Sequence, residues 1–194
     1  MSGFSTARQK MVDGQVRPSD VTDIRIIDAM LAVARETFVP ENKRALAYLD
    51  LDLDVSGGGS AGGFLIKPAV LAKMLQAAEI KETDHVLVVG CATGYTAAVI
   101  GEFVAQVRSA ASSEGDQANA PFDVIVLNGA TEIVPEKLYG QLRDGGRLVG
   151  VFATSQPPRA TIVTSSHGDF GNRALFDAAA PVLPGMERLA AFVF

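Results

Sequence analysis

The chain has 194 residues, 48% of them hydrophobic and 20% charged, with 17 basic against 22 acidic side chains and a net charge of −5. That composition excludes an intrinsically disordered chain, and an acidic balance without a Lys/Arg cluster argues against nucleic-acid binding. One cysteine excludes an internal disulfide, two histidines leave no Cys/His structural zinc site, and no apolar run reaches the ~18 residues that span a bilayer, so a soluble, cytoplasmic α/β domain is expected.

The opening residues, MSGFSTARQKMVDGQV, lack the apolar stretch of a secretory signal. The first third is expected to be helical. Ile24, Ile27, Met30, Leu31 and Ala34 recur at helical spacing behind the capping candidates Ser19, Asp20, Thr22 and Asp23. Pro40 closes that stretch, and residues 41–48 make a short helix. Residues 51–63, LDLDVSGGGSAGG, carry five glycines and read as a mobile loop over a site rather than an element. Pro68 suits a first helical position, with Val70, Leu71, Met74, Leu75 and Ala78 on one face. Residues 85–90, HVLVVG, form a strand buried on both faces, and a turn then leads into a helix ending near Ala105. FDVIVL at 122–127 is a second buried strand. A short helix over 135–142 and a strand over 147–152 follow. The remainder is read as strands at 160–164, 174–178 and 189–194, with a turn at 167–172.

Strand–helix alternation followed by hairpins implies an α/β fold, a mostly parallel sheet with antiparallel C-terminal strands behind an N-terminal helical extension. A single domain is expected over 1–194. Within it, 1–80 holds the N-terminal helices and glycine-rich loop, 81–152 the cofactor-binding core, and 153–194 the C-terminal strands.

The chemistry concentrates in VLVVGCATGYT, residues 86–96. A buried strand ends in Gly90 and a second glycine, Gly94, opens a helix. This brings backbone N–H groups to the carboxyl end of a strand, a crevice that binds nucleotides and their relatives. The dinucleotide fingerprint G-x-G-x-x-G and the phosphate-loop G-K-S/T are both absent. An ordinary strand-to-helix turn is the alternative.

The segment resembles motif I of the S-adenosylmethionine-dependent methyltransferases. More closely, the chain resembles the protein-L-isoaspartate O-methyltransferase family. VLVVGCATGYTAAVI stands against that family's V-L-E-I-G-T-G-S-G-Y-x-A-A-V-L. QVRPSDVTDIRIIDAMLAVARETFVP (15–40) ends in its R-E-x-F-V-P, residues 47–50 are similar to its A-Y-x-D, and PFDVIVLNGATEIVPEKLYGQLRDGGRLVGVF (121–152) is similar to its strand, helix and following strand. The likeness covers residues 9–152. It implies a Rossmann-like methyltransferase fold, S-adenosyl-L-methionine as cofactor, and methyl transfer to the carboxylate of isoaspartyl residues in damaged proteins, a protein-repair reaction. Neither nucleic acid nor a membrane is expected as partner. Gly90, Cys91, Ala92, Thr93, Gly94 and Tyr95 are then the cofactor-binding candidates. Asn128 and Gly129 join them at the end of the next strand, with capping as the alternative for Asn128. Phe64, Leu65, Ile66 and Lys67 are the substrate-binding candidates; no catalytic residue and no metal ligand is assigned.

Three departures from the family pattern bear on activity. Val88 stands where the family has an acid, and Ala92 replaces its middle glycine, where a methyl group would crowd a ligand. About fifteen residues separate Ala105 from Pro121, where the family has a strand ending in a ribose-binding acid, a helix and another strand. Two strands and a helix cannot fit there. Either the unit is deleted near Val107 and Arg108, or a stretch is missing from the recorded sequence. Glu114 and Asp116 are the only nearby acids. Finally, the family's G-x-T-I-S-x-P reads G-G-F-L-I-K-P at 62–68, so its serine falls on Ile66 and its threonine on Phe64. Transfer from a sulfonium needs mainly positioning, so this loss need not abolish it. A second reading is a degenerate relative that binds a ligand or partner protein without catalysis. A nicotinamide-dependent oxidoreductase is opposed by the missing fingerprint. Cys91 is expected to be a small turn residue rather than a nucleophile, His85 and His167 surface residues, Asp123 structural, and Lys67 solvated at a helix start.

Overall fold

The computed structural model describes residues 3–56 and 63–189. The chain opens with α1 (Gly3–Met11), one π-type turn and a 3-10 turn, then α2 (Ile24–Ala32). Asp23 caps α2 by accepting from the Arg25 amide at 3.0 Å. Of the predicted stripe Ile27 and Met30 face inward, together with Ile26 and Ala29, while Ile24 is exposed. Arg8 fastens α1 to this layer: Nε donates to the Tyr48 hydroxyl at 3.0 Å and Nη1 to the Leu31 carbonyl at 3.0 Å. The Tyr48 hydroxyl donates in turn to Glu36. Burial first, and then this bond to Glu36, push the Tyr48 pKa up to about 12. Residues Glu41–Leu46 form a 3-10 helix.

The glycine-rich stretch is not loop throughout. β1 (Leu53–Asp54) pairs antiparallel with β2 (Phe64–Leu65), with Leu53 opposite Leu65. The apolar alternation of LDLDV supplies one strand; residues 57–62, the centre of the expected loop, lie outside the described residues. α3 (Pro68–Ala77) starts at Pro68 as expected and buries Leu71, Ala72, Met74 and Leu75.

The central sheet follows: β3 (His85–Val89), α4 (Tyr95–Gly101), β4 (Gln106–Ala110), β5 (Phe122–Thr131), α5 (Glu136–Tyr139), β6 (Leu142–Phe152), β7 (Arg159–Ser166) and β8 (Asp169–Asp177). The strand order is β4-β3-β5-β6-β7-β8. β4, β3, β5 and β6 pair in parallel, and β7 and β8 add antiparallel. The α/β architecture read from the sequence is therefore the one observed. The helix expected to reach Ala105 stops at Gly101, and Gln106–Ala110 becomes a strand. It satisfies the backbone groups of β3 along the edge opposite β5, which a continued helix would leave unpaired. The expected turn at 167–172 is narrower. His167 and Gly168 take the left-handed conformation (φ 53° and 88°), and β8 begins at Asp169.

Alternate residues of the strands feed two cores. Val86, Val88, Val124, Val126, Val149 and Val151 pack under the N-terminal helices, α3 and α4. Leu87, Val89, Ile125, Leu127 and Leu148 face Leu138, Leu183 and Met186. That double burial explains the continuous apolar runs. Leu183 and Met186 belong to a strap, residues 181–186, that the sequence did not announce. The Ala130 amide donates to the Pro181 carbonyl at 2.8 Å, the Leu183 amide to the Ala130 carbonyl at 2.9 Å, and the Glu132 amide to the Met186 carbonyl at 2.9 Å. Of the strand expected at 189–194, Leu189 is exposed and the rest lies outside the described residues.

One ion pair joins α3, the turn before β3, and β6. Arg147 Nη2 lies 2.7 Å from Asp84 Oδ2 and 2.7 Å from the Glu79 carbonyl, and its Nε donates to the Ala78 carbonyl. Asp84 Oδ2 also accepts from the Lys81 amide at 2.9 Å. Removing one partner of a buried pair strands the other charge. Asp84→Ala is expected to lower stability by about 3 kcal/mol in urea unfolding; a change below about 1 kcal/mol would show that the pair is solvated like a surface one.

Candidate functional site

The parallel strands end along one edge of the sheet. β4 and β5 lie on opposite sides of β3, so the winding reverses there, the position where open α/β sheets bind ligands. The turn after β3 is bounded by Gly90 (φ 76°) and Gly94 (φ 90°), the latter immediately before α4. In β5 the register with β6 shifts between Val126 and Ala130, which takes Asn128 and Gly129 out of the regular ladder.

What approaches these glycines differs from the expectation. A Cβ on Gly90 would lie 2.3 Å from Leu183 Cδ2, and one on Gly129 2.7 Å from the same atom. The close approach is made by the strap, through Leu183. A Cβ on Gly94 would make only an ordinary contact, 3.8 Å from Phe38 Cε1, so this glycine is required by its left-handed backbone rather than by crowding. The Ala92 methyl group, expected to crowd a ligand, lies against Gly63, where an added Cβ would sit 2.3 Å from Ala92 Cβ.

Residues 63–67 are suspended beside this turn by their backbone. The Val55 amide donates to the Gly63 carbonyl at 2.8 Å, Asn128 Nδ2 to the Phe64 carbonyl at 3.0 Å, and Arg35 Nη2 to the Ile66 carbonyl at 2.9 Å. The Lys67 amide donates to Asp52 Oδ1 at 2.9 Å. Arg35 is 1% exposed, and its Nε donates to the Ala47 carbonyl at 2.8 Å. Its guanidinium lies 4.7 Å over the Tyr95 ring, whose other neighbour is the edge of Phe38 at 5.6 Å. Burial pushes the Arg35 pKa down from its ordinary value and the Tyr95 pKa up. Asn128 is 2% exposed; its Nδ2 also donates to the Gly90 carbonyl at 3.2 Å, and its Oδ1 accepts from Thr96 Oγ1 at 2.6 Å.

These contacts sort the predicted site residues. The side chains of Leu65, Ile66 and Tyr95 are in the core, so only their backbone is available to a ligand. The side-chain amide of Asn128 is spent internally. Phe64, Lys67, Cys91, Thr93 and Gly94 are partly exposed and Ala92 is exposed. Burial pushes the Cys91 thiol up, as suits an inert turn residue. Asp123 is structural: it accepts from the His85 amide at 2.8 Å and pairs with Arg143 at 2.8 Å. The His85 ring packs on Phe122. Glu114 is committed to Lys137 Nζ (2.8 and 2.6 Å), and both oxygens of Asp116 accept from Asn119 Nδ2 at 2.9 Å. Ala111 and Ser112 follow β4, so no carboxylate stands where the ribose-binding acid was sought. The buried Thr93 Oγ1 has no hydrogen-bond partner within the chain, a polar atom that fits the amino-acid end of a nucleoside cofactor. Among the described residues there is no cluster of three metal-type ligands, and no helix is long and apolar enough to cross a membrane. Sequence reasoning gave no role to Arg35, Asp52, Thr96 or Leu183. All four were visible as residues, but their partners lie far away in the chain.

The family model described as protein-L-isoaspartate(D-aspartate) O-methyltransferase matches residues 6–114 and again 105–157. The chain belongs to the protein-L-isoaspartate O-methyltransferase family. It is 35% identical to the enzyme of that name from Koribacter versatilis over 176 aligned positions, covering 77% of this chain and 78% of the relative. It is 32% identical to the Rhodopseudomonas palustris one over 206 positions, covering 91% and 93%. Among solved structures, one protein-L-isoaspartate O-methyltransferase superposes with a TM-score of 0.78 at 20% identity over 92% of this chain and 66% of that one. A Plasmodium falciparum structure of the family, in complex with S-adenosyl-L-homocysteine, gives 0.71 at 15% identity over 94% and 99%. The family match breaks into two pieces that overlap at 105–114. The break agrees with the geometry: β4 is the edge strand, and residues 111–121 lead directly to β5.

Because burial raises the Cys91 thiol pKa, alkylation by iodoacetamide at pH 7.5 is expected to run at least tenfold slower than on a free thiol, in order-of-magnitude terms. The rate should climb as pH passes the ordinary thiol range. Labelling as fast as free cysteine would place Cys91 among reactive residues.

Proposed function

We propose that this chain transfers a methyl group from S-adenosyl-L-methionine to the side-chain carboxylate of isoaspartyl residues in proteins, a repair reaction in the cytoplasm. One domain carries it, with residues 1–80 presenting the acceptor segment, 81–152 the cofactor turn and 153–194 the strands that brace the sheet. The observation that supports this most is the suspension of residues 63–67 beside the 90–94 turn. The segment keeps its place through backbone bonds although Phe64 and Ile66 supply no hydroxyl.

When bound, S-adenosyl-L-methionine supplies a methyl group already activated by a positive sulfur. Transfer of that methyl group to an acceptor carboxylate would leave a methyl ester and S-adenosyl-L-homocysteine. No proton moves, so no general base is needed. The chain's task is to bind, orient and exclude water. Backbone groups of 90–94 and Thr93 Oγ1 would hold the amino-acid end of the cofactor. Leu183 and the partly exposed Phe64 supply apolar walls. Lys67 is partly exposed at the start of α3, where its charge would favour an acceptor carboxylate.

A non-catalytic relative is the competing reading, favoured by the lack of a carboxylate after β4. The two separate in a methyl-transfer assay on an isoaspartyl peptide beside its aspartyl isomer. Base-labile methyl ester on the isoaspartyl peptide alone is expected. Absence of ester with either peptide, on protein that binds S-adenosyl-L-homocysteine, would leave the non-catalytic reading standing. Because hydrogen bonds to a charged group contribute about 1.5–3 kcal/mol, and this position is exposed, Ala111→Asp is expected to tighten S-adenosyl-L-homocysteine binding about fivefold. Unchanged affinity would mean that the ribose does not lie over the end of β4.

A further inference from the structure

Resting on the methyltransferase reading, we propose that Asn128 is a positioning residue that couples the cofactor turn to the acceptor segment. The carbonyls of Phe64 and Gly90 converge on one nitrogen, at 3.0 and 3.2 Å. The first belongs to the acceptor segment and the second opens the cofactor turn. The same amide accepts from Thr96 Oγ1 at 2.6 Å, which fixes its orientation to α4. A primary amide is the group that does this, because it offers two N–H donors and one acceptor oxygen from a single plane. With Asn128 2% exposed, water cannot replace it.

Two carbonyls on one nitrogen cannot move independently. A shift of the 90–94 turn on cofactor binding is therefore passed to residues 63–67. The strap holds the other side of this site, since Leu183 sits against both Gly90 and Gly129, next to Asn128. The segment also hangs from Arg35 and Asp52, so losing the amide loosens its cofactor end while leaving it attached.

The test follows amide hydrogen exchange in the full chain on peptides covering 63–67 and 90–96, with and without saturating S-adenosyl-L-homocysteine. In the wild type, exchange is expected to slow in both. Asn128→Ala removes the brace. Asn128→Asp is isosteric, keeps an acceptor for Thr96, and faces both carbonyls with oxygen; it carries the test if the alanine variant fails to fold. In either variant 90–96 should still be protected while 63–67 is not. The KM for an isoaspartyl peptide should rise about tenfold with kcat within threefold, a split that general loss of stability would not produce. Thr96→Val, which spares both donors, should retain the transmission. Undiminished protection of 63–67 in the folded variants would overturn the coupling while leaving the methyltransferase reading in place. If the ligand protects neither segment of the wild type, the methyltransferase reading itself falls, and the coupling with it.

Discussion

Residues 63–67 hang from hydrogen bonds to their backbone, and the geometry of the candidate site depends on where they hang. Asn128, Arg35 and Asp52 reach them from a strand end, a 3-10 turn and a loop. Each bond contributes only about 1 kcal/mol net, but an unpaired buried carbonyl costs about 1–3 kcal/mol. Arg35 illustrates the cost of the arrangement. A guanidinium 1% exposed is balanced by two carbonyl dipoles and the face of Tyr95 rather than by a hydrogen-bonded carboxylate. The same ring opens α4, so the side chain that steadies residues 63–67 also rests on the helix that follows the 90–94 turn. Because the fastening is to backbone, the side chains at 64 and 66 were free to become Phe and Ile without moving the segment.

The opposite side of the crevice is made by the strap. Its Leu183 occupies the ground above Gly90 and Gly129, and its backbone continues the ladder of β5 beyond the last residue paired with β3. The sheet stops at β4, and the loop 111–121 returns to β5 past Gln141, whose Oε1 accepts from the Asp116 amide at 2.8 Å. Glu114 meets Lys137 on the surface there instead of facing a ligand. Ala111 and Ser112, the first residues after β4, carry no charge.

Much of the fold was legible because burial on both faces writes itself as continuous apolar runs. HVLVV and FDVIVL needed no other signal, and Pro68 marked a helix start. β4 was illegible: QVRSA is an exposed edge strand without apolar alternation, defined by its partner β3 rather than by its own side chains. The strap was missed for the same reason, since PVLPGM gains its place from Ala130 and Glu132. Within the site, Gly94 was read as opening a helix, and it does so with a left-handed backbone. Leu183, which packs against Gly90 and Gly129, was not foreseen. Tyr95 and Asn128 lie in the expected segments but turn inward. A motif fixes where backbone goes; which way a side chain faces depended on Arg35, Phe38 and Phe64, tens of residues away.

The claim on which the rest stands is that the turn at the end of β3 takes the cofactor although β4 runs through residues 111–121 straight into β5. Calorimetric titration of the intact chain with S-adenosyl-L-homocysteine tests it most directly. A one-site isotherm in the micromolar range is expected. No heat of binding, on protein shown to be folded by circular dichroism, would contradict it and leave the chain a structural relative of methyltransferases without their ligand.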